Sequence, residues 1–223
     1  MDTATLAARI EAHLSYQIGR SFVMAAFGLA AGDRVIGTRV PDDASCADQI
    51  KTVMALFEHQ QVAEIGGSLG GTALQAVRAG IASYSIFDLP VVLIVQAWLL
   101  IKVLGPGSVA LFGQDPQSAR VHLRPCWQFT DRSILFDLVF NRDSLPEIPP
   151  AHTAADMAEI SARGCALLSV NQESQGHTGQ KGVAQLWINR MAAEQGDLAC
   201  VSHRPFWTRE GYVEELFMPR KTA

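Results

Sequence analysis

The chain has 223 residues, enough for one large domain or for one domain with a short additional segment. Hydrophobic residues make up 48% of it, which is ample for a buried core, and the formal net charge of -4 excludes the globally basic surface of nucleic-acid binders. The cysteines are far apart, with no metal-finger or redox-motif spacing, and we expect buried free thiols in a reducing compartment at Cys46, Cys126, Cys165 and Cys200.

Residues 1–60 are predicted to form a helical N-terminal segment. Apolar residues have helical spacing over 6–14 and 50–57, a polar turn is predicted at 41–48, and the apolar stretch 15–29 is ambiguous. The first residues carry charges and lack the continuous apolar core of a secretory signal, so we expect a cytoplasmic protein.

One stretch, 89–104, is apolar enough to suggest a membrane helix. It is shorter than the ~20 residues that a spanning helix needs, and Gln96 and Lys102 interrupt it. A helix buried against a sheet is therefore the better prediction, with no membrane span.

From residue 61 onward, short apolar strands alternate with longer helical stretches, a pattern typical of an α/β fold with a mostly parallel sheet and helices on both faces. Helices are predicted at 70–79, 91–104, 153–162 and 183–194. Strands are predicted at 62–65, 84–87, 109–112, 121–127, 134–140, 166–170, 198–202 and 212–217, and Asp137 is expected to orient the backbone at a strand start.

The strongest local signal is the stretch VAEIGGSLGG, residues 62–71. A predicted strand carries Glu64, a glycine-rich turn follows, and a helix begins directly after the turn. Glycines let the backbone turn sharply and approach a ligand closely, and a helix N-terminus presents free N–H groups. The turn thus indicates a nucleotide-type cofactor, the alternative being a turn that only packs a helix on a strand; the turn residues expected at the cofactor are Gly66, Gly67, Ser68 and Gly70.

A second acid strengthens the cofactor hypothesis. Asp88 ends the next predicted strand, about twenty residues past the turn, where a carboxylate can accept hydrogen bonds from both ribose hydroxyls. We expect Leu89, the next residue, to belong to the same site.

Two cofactor classes share this layout. A dinucleotide site wants G-x-G-x-x-G, and Ser68 breaks that frame at its middle glycine. The acid-x-G-x-G-x-G frame of methyltransferases keeps its leading carboxylate, Glu64, which can help to hold the cationic amino-acid end of S-adenosylmethionine. Glu64 therefore favours the sulfonium cofactor.

EIGGSLGGTALQAV followed by YSIFDLP resembles the sugar O-methyltransferase family, whose members act in macrolide- and polyether-sugar tailoring and in surface polysaccharide pathways. Three later segments are similar to stretches of that family in the same order: FDLVFNRDSLPEIPP, LLSVNQES and RPFWTREGYVEELF. The resemblance covers about 61–217. The chain departs from it at Ser68, where the family has glycine, at Leu69, where it has an aromatic residue, and in a shorter N-terminal side.

The resemblance implies a Rossmann-like S-adenosylmethionine-binding domain over 61–223, with the last strand antiparallel. It also implies methyl transfer to an oxygen of a sugar or a sugar-containing acceptor, either a polysaccharide or a glycosylated natural product. A non-sugar acceptor, or a non-catalytic module of a larger assembly, stays open as an alternative. The partner is then a glycan or small molecule rather than a nucleic acid, and self-association stays open.

Methyl transfer is a direct displacement that needs alignment of acceptor, methyl and sulfur. A sugar hydroxyl is a weak nucleophile, so a general base or a divalent metal would help. The catalytic candidates are His203, His177 and Glu173. A metal, if used, would be bound by Asn141, Asn171 and Glu173; we favour the metal-free version.

The acceptor candidates follow the later strands, whose carboxyl ends face one crevice. We expect Asn141, Glu147, Asn171, Glu173 and His203 to converge on one pocket beside the sulfonium methyl. The structural alternatives are that Ser144 and Glu147 only cap the next segment, that His203 only packs inside the protein, and that His177 lies on the surface. Trp207 and Tyr212 offer aromatic faces on which a sugar could stack; alternatively, this part of the chain only forms the last pair of strands. The full acceptor-binding set is Asn141, Ser144, Glu147, Asn171, Arg204, Trp207 and Tyr212.

Overall fold

The computed structural model describes residues 40–55, 61–114, 118–173, 187–195 and 198–220. The strands are β1 (Gln61–Ile65), β2 (Ser83–Asp88), β3 (Val109–Ala110), β4 (Val121–Pro125), β5 (Leu138–Arg142), β6 (Ala166–Gln172), β7 (Leu198–Pro205) and β8 (Tyr212–Pro219). The helices of the described residues are α1 (Val40–Met54), α2 (Gly71–Arg78), α3 (Pro90–Leu104), α4 (Pro150–Arg163) and α5 (Ile188–Gln195).

All eight strands form one sheet in the order β3-β4-β2-β1-β5-β6-β8-β7. The first six are parallel, while β8 pairs antiparallel with both β6 and β7. The chain runs from β1 to β2 on one side and returns to β5 on the other, so the strand order reverses between β1 and β5. This reversal places a crevice at the carboxyl ends of these strands. The predicted mostly parallel sheet with a last antiparallel strand is confirmed.

Two cores lie on the two faces of the sheet because neighbouring strand residues point to opposite faces. On the first face Tyr84 and Ile86 of β2 pack with residues from α1, α2 and α3. On the second face Phe87 of β2 and Val139 of β5 belong to a core with residues from α4 and α5. Both faces are therefore covered, as a parallel sheet requires.

Helix α3 confirms the prediction of a helix buried against the sheet. It starts with Pro90 at its first position, a favoured place for proline, and stops at Gly105. Leu93, Ala97 and Leu100 face the core. Within the described residues, no helix is long and apolar enough to cross a membrane.

The predicted polar turn at 41–48 is wrong, because α1 runs through it. A proline in the first turn suits a helix start, and small residues such as Cys46 and Ala47 then fit into the core. The predicted strand at 134–140 begins only at Leu138. Asp137 does orient the backbone there: its Oδ2 accepts from the backbone N–H of Gln61 at 3.0 Å.

The cysteine prediction is half correct. Cys46 and Cys165 are buried free thiols, whereas Cys126 and Cys200 are free but exposed. Cys126 begins a short 3-10 turn after β4, and Cys200 lies on β7, the edge strand of the sheet.

Candidate cofactor and acceptor site

A cavity of about 400 Å³ opens at the carboxyl ends of β1, β2 and β5, where the strand order reverses. Its size is in the range of small-molecule sites. The lining contains four acids and two arginines: Glu64, Asp88, Asp143, Glu147, Arg142 and Arg209. Gly66, Gly67, Ser68, Val92, Ser144 and Tyr212 complete it. Among the residues predicted at the cofactor, five therefore lie together: Glu64, Gly66, Gly67, Ser68 and Asp88.

The glycine turn is packed too closely for other residues at two positions. Gly66 has φ 72°, and a Cβ there would overlap the side chain of Ser144. A Cβ on Gly67 would lie 2.6 Å from Cγ2 of Ile86. Ser68 also has a positive φ, 51°, a conformation that favours glycine. The turn between β1 and α2 is thus fixed by backbone geometry at the wall of the cavity.

Glu64 is a buried carboxyl group at the cavity wall. The residue is only 2% exposed, and its Oε2 has no hydrogen-bond partner in the described part of the chain. Burial raises the pKa of Glu64 to about 8, an effect that the nearby Arg142 charge opposes. Tyr84 lies close enough to lower this pKa, but Oε2 stays without a partner among the described residues, and a cationic ligand group in the cavity would favour the ionised carboxylate.

Asp88 is held at the opposite wall by three donors. Its Oδ1 accepts from the Leu89 N–H at 2.7 Å and its Oδ2 from Nε2 of Gln96 at 2.8 Å. Burial raises the pKa of Asp88, and hydrogen bonds from Leu89, Gln96 and the Gly67 N–H lower it. The carboxylate is therefore oriented rather than free to rotate.

Leu89 and Gly70 do not line the cavity, but each supports its wall through a backbone N–H. The side chain of Leu89 is 57% exposed, and its contribution to the site is the N–H that holds Asp88. Gly70 precedes α2 in a left-handed conformation, with φ 81°. Its N–H donates to the Gly67 carbonyl oxygen at 2.7 Å, which closes the turn.

The N-terminus of α2 is already covered by a carboxylate of the same chain. Asp43 from α1 is buried, accepts a long hydrogen bond of 3.5 Å from the Thr72 hydroxyl, and forms an ion pair with Arg142. A Cβ on Gly71 would overlap this carboxylate. Sequence analysis missed both Asp43 and Arg142, because only the tertiary fold brings residues 99 positions apart together.

Asn141 and Asn171 lie next to the cavity without lining it. Asn141 Nδ2 donates to the Ile65 carbonyl oxygen at 2.8 Å, and its Oδ1 accepts from Asn171 Nδ2 at 2.9 Å. Asn171 Oδ1 in turn accepts from the Asp143 N–H at 2.8 Å. The network fixes the loop after β5, where Asp143 has φ 63°. Both amide oxygens are thus engaged within the protein, which disfavours the expected metal ligation by them.

No group of three or more His, Cys, Asp or Glu side chains that could hold a metal ion occurs in the described ranges. The expected ligand set is not arranged for coordination, since Asn141 and Asn171 hydrogen-bond each other and Glu173 faces His203. The metal alternative therefore receives no support from the side-chain arrangement.

His203 and Glu173 form a second cluster, away from the cavity lining. His203 Nδ1 is 2.9 Å from Oε1 of the buried Glu215, and its Nε2 is 3.7 Å from Oε1 of Glu173. Asn189 from α5 also donates to Glu215 Oε1. The expected convergence of five side chains on one pocket is therefore wrong for the described structure, because only Glu147 of the five lines the cavity. His177 lies outside the described residues.

Three of the remaining acceptor candidates lie on the β7–β8 hairpin, and the fourth, Ser144, follows β5. Tyr212 lines the cavity, but the Arg209 guanidinium covers one face of its ring at 3.8 Å from the centroid. Trp207 is 77% exposed. Arg204 forms an ion pair with Glu214 on β8. Ser144 lies in the cavity wall and donates its hydroxyl to the Ile65 carbonyl oxygen.

No protein-family model and no curated protein sequence matches the chain. Solved structures do match its fold. Magnesium protoporphyrin IX methyltransferase from Synechocystis, solved with S-adenosylmethionine (SAM), has a TM-score of 0.58 and 11% identity over 99% of this chain and 98% of its own. A glycopeptide N-methyltransferase, also complexed with SAM, has a TM-score of 0.59 and 13% identity over 80% of this chain and 94% of its own.

A 4+2 cyclase matches as well, with a TM-score of 0.60 and 12% identity over 79% of this chain and 80% of its own. Similarity at this level describes the fold and leaves the reaction open, because one fold supports several chemistries. The eight-stranded sheet, its helices and these neighbours together show that the chain has the Rossmann-like fold of SAM-dependent methyltransferases.

Proposed function

We propose that the protein is a SAM-dependent O-methyltransferase that acts on a sugar or a sugar-containing acceptor. The observation that carries the proposal is the pair of acids at one cavity: Glu64 with its unpartnered buried oxygen, and Asp88 held in a fixed orientation across the glycine turn. A nucleoside with vicinal hydroxyls and a cationic amino-acid end fits both.

Asp43 gives an independent reason to prefer SAM over a dinucleotide. In dinucleotide sites the pyrophosphate lies at the N-terminus of the helix after the glycine turn. Here that position holds the Asp43 carboxylate, and Glu64 lies close by on β1. A pyrophosphate would compete for this place with a buried carboxylate that is already paired with Arg142, whereas the cationic end of SAM would favour the ionised form of Glu64.

SAM, when bound, supplies an electrophilic methyl group on a positively charged sulfur. Asp88 accepts hydrogen bonds from the ribose hydroxyls, and Glu64 interacts with the cationic amino-acid end. Arg142, which also lines the cavity, is suited to the cofactor carboxylate. The tight turn at Gly66 and Gly67 lets the cofactor approach the backbone.

The acceptor side of the proposal rests on the polar residues across the cavity. Glu147 and Ser144 from the β5 loop, with Tyr212 from β8, are suited to bind hydroxyl groups of a sugar. Asn141 and Asn171 support this wall by holding the β5 loop. Arg204 and Trp207 lie further out and would contact only a longer acceptor. The sugar preference itself follows from the sequence resemblance.

We keep His203 as the candidate general base, although it lies outside the cavity lining, so this role requires the acceptor hydroxyl to reach the β7–β8 hairpin. If Nδ1 donates to the buried Glu215, Nε2 is the nitrogen that can take a proton from the acceptor hydroxyl. Glu173 lies beside that nitrogen and would stabilise the charged imidazole. This arrangement needs no metal.

A transfer assay tests the proposal. The full chain is incubated with methyl-labelled SAM and with a glycosylated macrolide, an oligosaccharide mixture, a catechol and a primary amine. We expect label in the sugar-containing acceptors and none with Asp88→Ala. Label only in the catechol or amine would refute the sugar assignment. SAM binding without transfer to any of these acceptors would favour the non-catalytic alternative.

A further inference from the structure

Gln96 is a polar residue in the middle of the apolar helix α3. It is 0% exposed, and its helix neighbours Leu93 and Leu100 belong to the core. Burying an amide costs free energy unless its groups are hydrogen-bonded. A glutamine at this place therefore needs an explanation from its contacts.

The amide nitrogen of Gln96 joins two separate parts of the cavity wall. Nε2 donates to the Ser68 carbonyl oxygen at 2.9 Å and to Asp88 Oδ2 at 2.8 Å. It is also 3.3 Å from the place that a Cβ on Gly67 would occupy. Both hydrogens of the amide are thus used, one on the glycine turn after β1 and one on the acid that ends β2.

Gln96 is the side-chain donor to Asp88, beside the backbone N–H groups of Leu89 and Gly67. The Leu89 N–H holds Oδ1, but a carboxylate held at one oxygen can still rotate about its Cβ–Cγ bond. The Gln96 bond holds Oδ2 as well. Since Gln96 is anchored in α3 by core packing, its amide ties the turn and the acid to the same helix.

We infer that Gln96 is a positioning residue for the cofactor site. It orients the Asp88 carboxylate and the glycine turn together, so that the remaining lone pairs of Asp88 meet the vicinal hydroxyls of a cofactor ribose. The ligand in this inference rests on the proposed function. The positions of Gln96, Ser68 and Asp88 do not depend on that proposal.

The test compares Gln96→Met, which keeps the length of the side chain and removes the donor, with the wild type. S-adenosylhomocysteine and its 2′-deoxyribose counterpart are titrated into each protein. In the wild type we expect removal of the hydroxyl to weaken binding about tenfold, the factor for one hydrogen bond of about 1.4 kcal/mol. In Gln96→Met we expect that ratio to fall below about threefold, because Asp88 loses one of the donors that orient it.

Gln75→Met on α2 is the matched control, since Gln75 is half-buried and lies outside the cavity lining. It should leave the wild-type ratio unchanged. If Gln96→Met is folded and keeps the wild-type ratio, the inference is overturned.

Carboxyl NMR titration of Asp88 without any ligand separates this inference from the proposed function. Loss of the Gln96 donor should raise the Asp88 pKa, because that hydrogen bond stabilises the charged form. If the wild type does not bind S-adenosylhomocysteine, the proposed function fails, and a raised Asp88 pKa in Gln96→Met still supports the positioning. An unchanged Asp88 pKa would contradict it.

Discussion

The cofactor side of the cavity, built from β1, β2 and α3, differs in construction from the acceptor side, built from β5, β6 and the β7–β8 hairpin. The first depends on backbone contacts over short sequence distances, such as the Gly67 N–H and the Asp88 carboxylate. The second depends on side chains that meet across distant strands, such as Asp143 and Arg209, 66 positions apart. Substitutions among the side chains of the acceptor side can therefore alter which acceptor binds while the cofactor side keeps its geometry.

The largest expected effect comes from Asp88→Ala, which breaks the cofactor side. Loss of two charge-assisted hydrogen bonds, each about 1.5–3 kcal/mol, should weaken S-adenosylhomocysteine binding by about 10²- to 10⁴-fold. Calorimetric titration measures this change. Asp131→Ala, an exposed acid of the turn after β4, should bind as the wild type does. Normal binding by folded Asp88→Ala would place the cofactor elsewhere.

The next effect probes the acceptor side alone. His203→Asn should lower kcat by about 10²-fold or more, the usual contribution of a general base, with unchanged affinity for S-adenosylhomocysteine. His152→Asn, the same change at an exposed histidine of α4 outside the cavity lining, is the control and should keep kcat. An unaltered kcat in His203→Asn would remove His203 from the mechanism and turn attention to the acids of the cavity, Asp143 and Glu147.

Glu64→Gln should separate stability from binding on the cofactor side. With a pKa of about 8 in the folded state and an ordinary value of 4.5, Glu64 is protonated when folded and ionised when unfolded between these pH values. The unfolded state then binds fewer protons, so stability falls as pH rises through this window, by about 1.4 kcal/mol per pH unit. Glu64→Gln should lack this contribution while binding S-adenosylhomocysteine about tenfold more weakly.

Denaturant unfolding of both proteins at pH 5.5 and pH 7.5 measures the difference. The variant should gain stability relative to the wild type at the higher pH. Subtracting the two proteins removes the contribution of other groups, such as Asp156, whose pKa burial raises to about 6. Equal pH slopes would mean that Glu64 is ionised in the folded protein.

Ser68→Gly has the smallest expected effect. The left-handed φ of 51° strains serine but not glycine, whereas glycine loses more entropy on folding. We expect a change in unfolding free energy of about 1 kcal/mol or less, with cofactor affinity unchanged. A marked fall in affinity would show that the Ser68 hydroxyl itself contacts the ligand.

The contrast between the two sides also explains what the sequence could predict. Glu64, the glycine turn and Asp88 follow one another in strand-turn-helix order, so their placement follows from local pattern and parallel topology. The sheet order and the antiparallel β8 agree with the resemblance as well. Features that depend on such local geometry can be predicted from the sequence.

Side-chain orientation on the later strands could not be predicted in the same way. Asn141 and Asn171 end neighbouring strands, as expected, yet they bind each other and the loop backbone. Gln96 interrupts an apolar helix that the sequence predicts to be buried, and this interruption is the signal that the sequence offers for its role. Asp43 gave none, because its role depends on how α1 packs on α2.

Titration of the wild-type chain with S-adenosylhomocysteine and, separately, with NAD tests the central claim most directly. We expect saturable one-site binding of S-adenosylhomocysteine that is lost in Asp88→Ala, and no binding of NAD, because Asp43 covers the helix N-terminus that a pyrophosphate would need. Binding of NAD without binding of S-adenosylhomocysteine would contradict the assignment of Glu64, of Asp88 and of the cavity between them.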